Sequence, residues 1–313
     1  MTEPIDAIIL AGDRKGSRGI AGTSKLLLEI AGKPLLMYVI EALDKVERVR
    51  RIVIIGPSDP IRDIVQACGS RLSQSTLIDV LEQCDTAYQN FWAAFVHTLD
   101  HYEPGQEKYD EELLEKPVLV VPADIPLIAA DEVDEFLDGA THLPLDYGIG
   151  MTASEHLERF YPRGNEPGIE MTYLHLAKSD LRLNNLHFIR PFKVQNRAYI
   201  EEIYEFRYQK ELLNILRVVL DILRTDGFGL RPIYLYAMLQ LSIIFSALNL
   251  RRCLKITSAR VTKEDMTNYA SVMLQAKVVI IETTGGGCAV DVDSERDYLT
   301  IDQRFEEYSQ RVD

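Results

Sequence analysis

Four short apolar runs, each ended by glycine, proline or threonine, constrain this chain more than any other feature. They are "IDAIIL" (5–10), "RRIVIIG" (50–56), "KPVLVVP" (116–122) and "AKVVIIETT" (276–284). A strand that is apolar without alternation is buried on both faces, which is the condition of a strand in a parallel sheet. Between the runs the period changes. Leu35, Val39, Leu43 and Val46 recur at helical spacing behind Pro34, which suits a first helical turn, and predict a helix near 34–46. The segments 59–68 and 86–101 read as helices too. Strand, loop and helix in alternation predict an α/β fold: a mostly parallel Rossmann-like sheet with helices on both faces.

The pattern changes after about residue 145. "YGIGMTAS" and "GIEMTYLHLA" alternate apolar and polar residues as half-buried strands do, and "NNLHFIRP" reads as another short strand. From about 195 to 250 the chain reads as almost entirely helical. After 276 the first style returns, with a turn at "GGGCAVDVDSERDYLTI" and a closing helix near Ser294, for which Asp293 is a better cap candidate than Asp291. These shifts divide the chain into a core of 1–150 plus 255–313 and an inserted region of strands and helices at 151–254. The apolar segment 233–250 is interrupted by Gln240, Ser242, Ser246 and Asn249. A buried or groove-lining helix is favoured there over one that meets lipid, and a true span comes last.

The charge balance narrows the function. Lysine and arginine number 34 against 48 aspartates and glutamates, a net charge of −14. That argues against nonspecific nucleic-acid binding, which needs a basic surface. The four cysteines lie far apart, without a C-x-x-C pair, and read as reduced core thiols of a cytoplasmic protein. The acidic N-terminus lacks the apolar core of a signal peptide.

Against this acidic background, "LAGDRKGSRGIAGTSK" (10–25) collects four glycines and four basic side chains directly after the first strand. Loops leaving the C-terminal edge of a parallel sheet are where open α/β folds bind ligands. Glycines let the backbone approach and aim its N–H groups, and basic side chains neutralise phosphate oxygens. The spacing matches neither a P-loop nor a G-x-G-x-x-G dinucleotide turn. Composition alone leaves an exposed polar turn equally open.

The residues around this loop carry a resemblance. Leu10-Ala11-Gly12, Lys25-x-Leu27 and Gly32-Lys33-Pro34-Leu35 are similar to the N-terminal signature of nucleotidyltransferases with the GT-A type fold, the group that includes the molybdenum-cofactor guanylyltransferase-like enzymes and the sugar-nucleotide pyrophosphorylases. "PADIPLI" resembles the family's D-x-P segment and "AVDVDSERDYLTI" its closing D-I-D segment. The resemblance covers residues 1–150 and 276–305 in outline. It departs at Asp13, where the family has a second glycine, and at Arg18, which lies about one position late.

The resemblance implies transfer of a nucleoside monophosphate from a nucleoside triphosphate to a phosphorylated small-molecule or lipid acceptor, with release of pyrophosphate. It makes Asp124 and Asp291 ligands of Mg²⁺, and Lys25 and Arg18 the catalytic cations. Leu10, Ala11, Gly12, Arg14, Lys15 and Gly16 become nucleotide-binding, and Asn184 and Asn185 acceptor-binding. Arg207 and Lys210, at i, i+3 spacing, are further candidates for an acceptor phosphate. Two other classes stay open: a GT-A glycosyltransferase, whose D-x-D letters occur at Asp291-x-Asp293, and a noncatalytic nucleotide-binding protein, suggested by Asp13. The helical region offers enough apolar surface for a homodimer.

Overall fold

The computed structural model describes residues 4–12, 25–73, 76–99, 111–196 and 231–310. The first apolar run is strand β1 (Ile5–Leu10), and a small hairpin follows, β2 (Glu29–Ile30) and β3 (Lys33–Pro34). Its two-residue turn, Ala31–Gly32, has positive φ at both positions, which is the geometry that closes a tight hairpin. Pro34 therefore stands just before helix α1 (Leu35–Asp44) rather than inside its first turn. Next come β4 (Val49–Gly56), α2 (Ser58–Cys68), β5 (Leu77–Glu82), α3 (Ala87–His97), α4 (Glu111–Glu115), β6 (Val118–Pro122), α5 (Ala130–Thr141) and β7 (Tyr147–Ala153). The chain continues with β8 (Leu174–His175) and β9 (Asp180–Ile189). Helices α6 (Arg231–Ala247), α7 (Arg251–Ser258) and α8 (Lys263–Leu274) lead to β10 (Val278–Thr283), α9 (Glu295–Gln303) and α10 (Phe305–Ser309).

The main sheet has the order β10-β7-β9-β6-β1-β4-β5, with β8 paired to β9. The pairs β1/β4, β1/β6, β4/β5 and β7/β10 are parallel. Strand β9 is antiparallel to both neighbours, with Phe188 opposite Leu119 of β6 and Gly148 of β7. So the α/β fold with a mostly parallel sheet is observed, and β9, drawn from the 151–254 stretch, lies inside that sheet. Of "GIEMTYLHLA", only Leu174–His175 forms a strand.

Alternation along the central strands loads both faces. Ala7 and Ile9 of β1 join a core with Leu36, Ile40, Ile54 and Phe136, under α1 and α5. Ile8 points the other way, to Val53, Phe95 and Phe192. Each large aliphatic side chain taken from water this way contributes about 1.5–3 kcal/mol. The segment 233–250 is neither fully buried nor membrane-spanning. Leu235 and Leu239 of α6 pack with Met151, Leu181 and Ile280, while Ile244 and Leu248 are exposed. No helix among the described residues is long and apolar enough to cross a membrane. Of the expected core thiols, Cys288 is buried, whereas Cys84 and Cys253 are exposed. Cys84 follows β5 in a loop and Cys253 lies on an exposed face of α7, and neither place imposes burial, which is why cysteine type alone misplaces them.

β7 and β9 meet closely at one point. A Cβ on Gly150 would lie 1.9 Å from Asn184 Oδ1 and 2.9 Å from the Leu186 carbonyl oxygen. Gly150→Ala should lower stability by about 1–3 kcal/mol through overpacking. Gly69→Ala is the control, because nothing lies within 4 Å of its added methyl and Gly69 has helical φ. Urea unfolding measures both. Equal midpoints for the two variants would remove the close-approach argument.

Candidate active site

Three chain segments meet at the C-terminal edge of the sheet. Beyond β1, Ala11 N–H reaches the Ile55 carbonyl of β4, and Ala123 N–H reaches Leu10 O. These bonds hold the start of the glycine-rich loop beside the segment that follows β6. That segment carries Asp124, whose carbonyl accepts from Val292 N–H at 2.9 Å. This one backbone bond sets the "DVD" of 291–293 beside the "PADIP" of 122–126, although more than 160 residues separate them.

Lys25 bridges the two. Its Nζ lies 3.2 Å from Asp124 Oδ2 and 2.9 Å from Asp293 Oδ1. Asp291 takes another cation: Arg182 of β9 donates from Nη2 to Asp291 Oδ1 at 2.9 Å and from Nε to the Ala289 carbonyl at 2.8 Å. Of the predicted residues, Lys25, Asp124 and Asp291 are thus brought together, with Leu10, Ala11 and Gly12 at the adjoining strand end. Arg14, Lys15, Gly16 and Arg18 lie outside the described residues, as do Arg207 and Lys210.

Asn184 and Asn185 reach the same region from β9. Asn184 is fully buried; its amide donates to Thr283 Oγ1 at 2.8 Å. Thr283 donates on to Glu132 Oε1 at 2.8 Å, and Glu132 Oε2 accepts from Cys288 N–H at 3.1 Å. The chain of bonds anchors the loop that leads from β10 to Asp291. Asn185 takes a positive φ of 64°, and its amide donates to the Cys288 carbonyl at 3.0 Å.

Sequence reasoning missed several residues. Arg182 meets its partner 109 positions away, and nothing local marks an arginine in a strand as an aspartate's counter-ion. Asp293 pairs with Lys25 instead of capping α9; Ser294 is the cap, accepting from Asp297 N–H at 3.2 Å. Gln83 and Asn90 stand against Gly12, where an added Cβ would lie 2.9 Å from Asn90 Nδ2 and 3.7 Å from Gln83 Oε1. The motif Thr86-x-x-Gln89 at the start of α3 was the available signal that this loop ends in a capped helix beside the site. A separate cleft of about 1060 Å³ opens between α1, α5 and α10, behind Pro126–Glu132, and none of the clustered carboxylates lines it.

The electrostatics are those of crowded acids held by two cations. Burial raises Asp124, Lys25 pulls it back and Asp293 pushes it up again, leaving its carboxyl above the ordinary range. Burial opposes the charge on Lys25, but Asp124 and Asp293 more than offset this and raise its pKa. Among the described residues no set of three acidic, histidine or cysteine side chains is gathered to enclose a metal. Two carboxylates with adjacent phosphate oxygens nonetheless fit Mg²⁺, which retains several waters and prefers oxygen.

Asp291 is pushed up to about 6 from 3.8 by burial and by Asp293, against the pull of Arg182. Between those values the folded chain holds a proton that the unfolded chain has released. Folded-state stability therefore falls as pH rises through this window. In metal-free protein, Asp291→Asn should flatten that fall. Urea midpoints at several pH values between 4 and 7 test it, and parallel profiles for wild type and variant would contradict the burial of this carboxyl.

The family model for the MobA-like NTP transferase domain matches residues 7–219. The bifunctional protein GlmU of Koribacter versatilis is 30% identical over 220 residues, 69% of this chain and 40% of that protein. The 2-C-methyl-D-erythritol 4-phosphate cytidylyltransferase of Rubrobacter xylanophilus is 35% identical over 63 residues, 20% of this chain and 26% of that protein. This chain therefore spans less than half the length of these curated relatives. A hypothetical transferase from Thermus thermophilus has the same fold, with a TM-score of 0.61 at 19% identity, covering 95% of this chain and 100% of the other. The matched span contains Lys25, Asp124 and Arg182, whereas Asp291 and Asp293 lie beyond it and join the site through tertiary contacts. With its model matched from β1 through β9, this chain belongs to the MobA-like NTP transferase domain family.

Proposed function

We propose that the protein is a Mg²⁺-dependent nucleotidyltransferase that moves a nucleoside monophosphate from a nucleoside triphosphate to a phosphorylated acceptor. The observation that carries this reading is the Lys25 ammonium held between Asp124 and Asp293 at the mouth of the glycine-rich loop. A phosphate oxygen of the acceptor attacks the α-phosphorus, the bond to the β-phosphate breaks, and pyrophosphate leaves. An ionised phosphate needs no general base. Catalysis then rests on in-line positioning and charge neutralisation.

Each residue has a part in this reading. Asp124 and Asp291 would hold Mg²⁺, which when bound neutralises charge on the phosphate oxygens. Triphosphate entry gives Lys25 a new anionic partner on the α-phosphate or the leaving pyrophosphate. Arg14, Lys15 and Arg18, which lie outside the described residues, would hold the β- and γ-phosphates, and Gly16 would belong to the same nucleotide-binding loop. Leu10 and Ala11 place that loop. Asn185, beside the Cys288 carbonyl and close to Asp291, faces the acceptor side, and Asn184 keeps the supporting strand in place.

Thermal unfolding with ATP, GTP, CTP and UTP, each with and without Mg²⁺, tests the donor, because a ligand selective for the folded state raises its stability. One triphosphate should give a Mg²⁺-dependent shift, and pyrophosphate release should then follow with a set of sugar, alcohol and lipid phosphates. Lys25→Ala and Asp124→Asn should each lower turnover by about 10²–10³-fold, the usual cost of removing one preorganised charge from a transition state. Full turnover in Asp124→Asn would remove it from the metal role. Absence of any nucleotide shift would favour a noncatalytic member of the family.

A further inference from the structure

The stretch 227–263 contains six lysines and arginines and no aspartate or glutamate, in a chain whose net charge is −14. Two of the six are neutralised: Arg231 pairs with Asp265 at 2.8 Å and Lys263 with Glu282 at 2.6 Å. Arg251, Arg252 and Lys255 are exposed, and no carboxylate among the described residues lies within ion-pair distance of them. They sit at the tip of the α6–α7 hairpin, where residues 247–253 are all exposed.

The same tip displays aliphatic side chains. Leu248 and Ile256 are each 62% exposed, Ile244 is 49% and Leu250 is 45%. Leu248, just past the end of α6, bonds back to the Ile244 carbonyl at 3.0 Å, and Arg252 and Ile256 lie one turn apart on α7, so the tip carries exposed apolar and cationic groups side by side. Stability of the fold does not explain the arrangement. Leu250 caps α7 without a side-chain hydrogen bond, and two arginines occupy the helix's positive end. Buried anchorage of the hairpin comes from the other side, where Ser242 donates to Thr257 Oγ1 at 2.7 Å.

We propose that the α6–α7 tip docks this protein on an anionic bilayer surface, with Leu248, Leu250 and Ile256 entering the headgroup boundary and Arg251, Arg252 and Lys255 meeting lipid phosphates. Exposed aliphatics beside cations that pair with no carboxylate among the described residues are the pattern of an interfacial helix. Nucleic acid would satisfy the cations but leave the aliphatics without a partner, since stacking on bases requires aromatic rings. The acidic remainder of the chain is repelled by the same surface, so contact is tip-first. A Debye length of about 10 Å at 0.1 M salt lets the tip act apart from the distant acidic body. The hairpin lies on the bilayer without crossing it. This proposal stands independently of nucleotidyl transfer.

Co-sedimentation of the full chain with phosphatidylcholine vesicles, with and without about a third phosphatidylglycerol, tests it. The protein should pellet with the anionic vesicles at 0.1 M salt, stay in solution with the neutral ones, and be released at 0.5 M. Each cation near an anionic surface strengthens partition roughly fivefold, so Arg251→Glu/Lys255→Glu with Arg252→Glu should weaken it by at least about a hundredfold. Leu248→Asn/Leu250→Asn, which keeps every charge, should also release the protein. Unchanged melting temperatures in both variants show that the fold is kept. Failure of wild type to pellet with anionic vesicles overturns the proposal, as does undiminished pelleting of the charge-reversed variant. A dimer in solution that the asparagine variant dissociates, without vesicle binding, assigns the tip to a second copy of the chain instead.

Discussion

Strand β9 runs antiparallel between β6 and β7, and the candidate site depends on that placement. It joins the parallel set β6-β1-β4-β5 to the parallel pair β7-β10 through antiparallel ladders on both of its edges. Together with the Val292 N–H bond to the Asp124 carbonyl, it fixes β10 and the acidic segment that follows relative to Asp124. With it, Arg182 reaches Asp291 from the strand itself, and Asn184 enters the buried hydrogen-bond chain through Thr283 and Glu132 to Cys288. Such a network is costly unless every member is satisfied, and here the successive donors and acceptors supply one another. The sheet's geometry and the site's geometry are therefore one problem.

The site concentrates negative charge and pairs it with two cations, Lys25 and Arg182. Burial and the neighbouring Asp293 raise the proton affinity of Asp124 and Asp291, and Lys25 and Arg182 respectively offset this. Burial strengthens these interactions and raises the cost of leaving any of the charges unpaired. Lys25 stands at the junction because it follows the glycine-rich loop and touches both acidic segments. Only the first of those segments falls within the span shared with the family, so the second is recruited by packing: the Val292 N–H bond to Asp124, and the apolar cluster of Val290, Val292 and Ile301 beneath it.

Away from the site, the same chain shows how poorly total charge describes a surface. A net charge of −14 coexists with a stretch of 37 residues that carries only cations. The largely apolar α6 segment, interrupted by Gln240, Ser242 and Ser246, serves two environments. Leu235 and Leu239 pack on the sheet, and Ile244 and Leu248 face outward. A hydrophobic run in sequence does not distinguish these, since burial depends on what the rest of the chain puts beside each face.

The central parallel strands and the flanking helices were legible in the sequence, whereas Asp124 and Asp291 were singled out through the family resemblance, and the fold brings them to one edge of the sheet. Buried strands read as unbroken apolar runs and helices as a 3.6-residue period, and both signals are local. Lys25 was legible because it stands in a motif at short range from β1. Arg182, the pairing of Asp293 with Lys25, and the stance of Gln83 and Asn90 against Gly12 were not, because each depends on a partner tens to hundreds of residues away. Cysteine burial and the two-sided character of α6 were decided in the same way, by neighbours rather than by residue type. Secondary structure and the loop's chemistry follow from short-range sterics, hydrogen bonding and hydrophobic period. Charge pairing and burial follow from which segments the sheet brings within a few ångströms, and only the tertiary structure decides that.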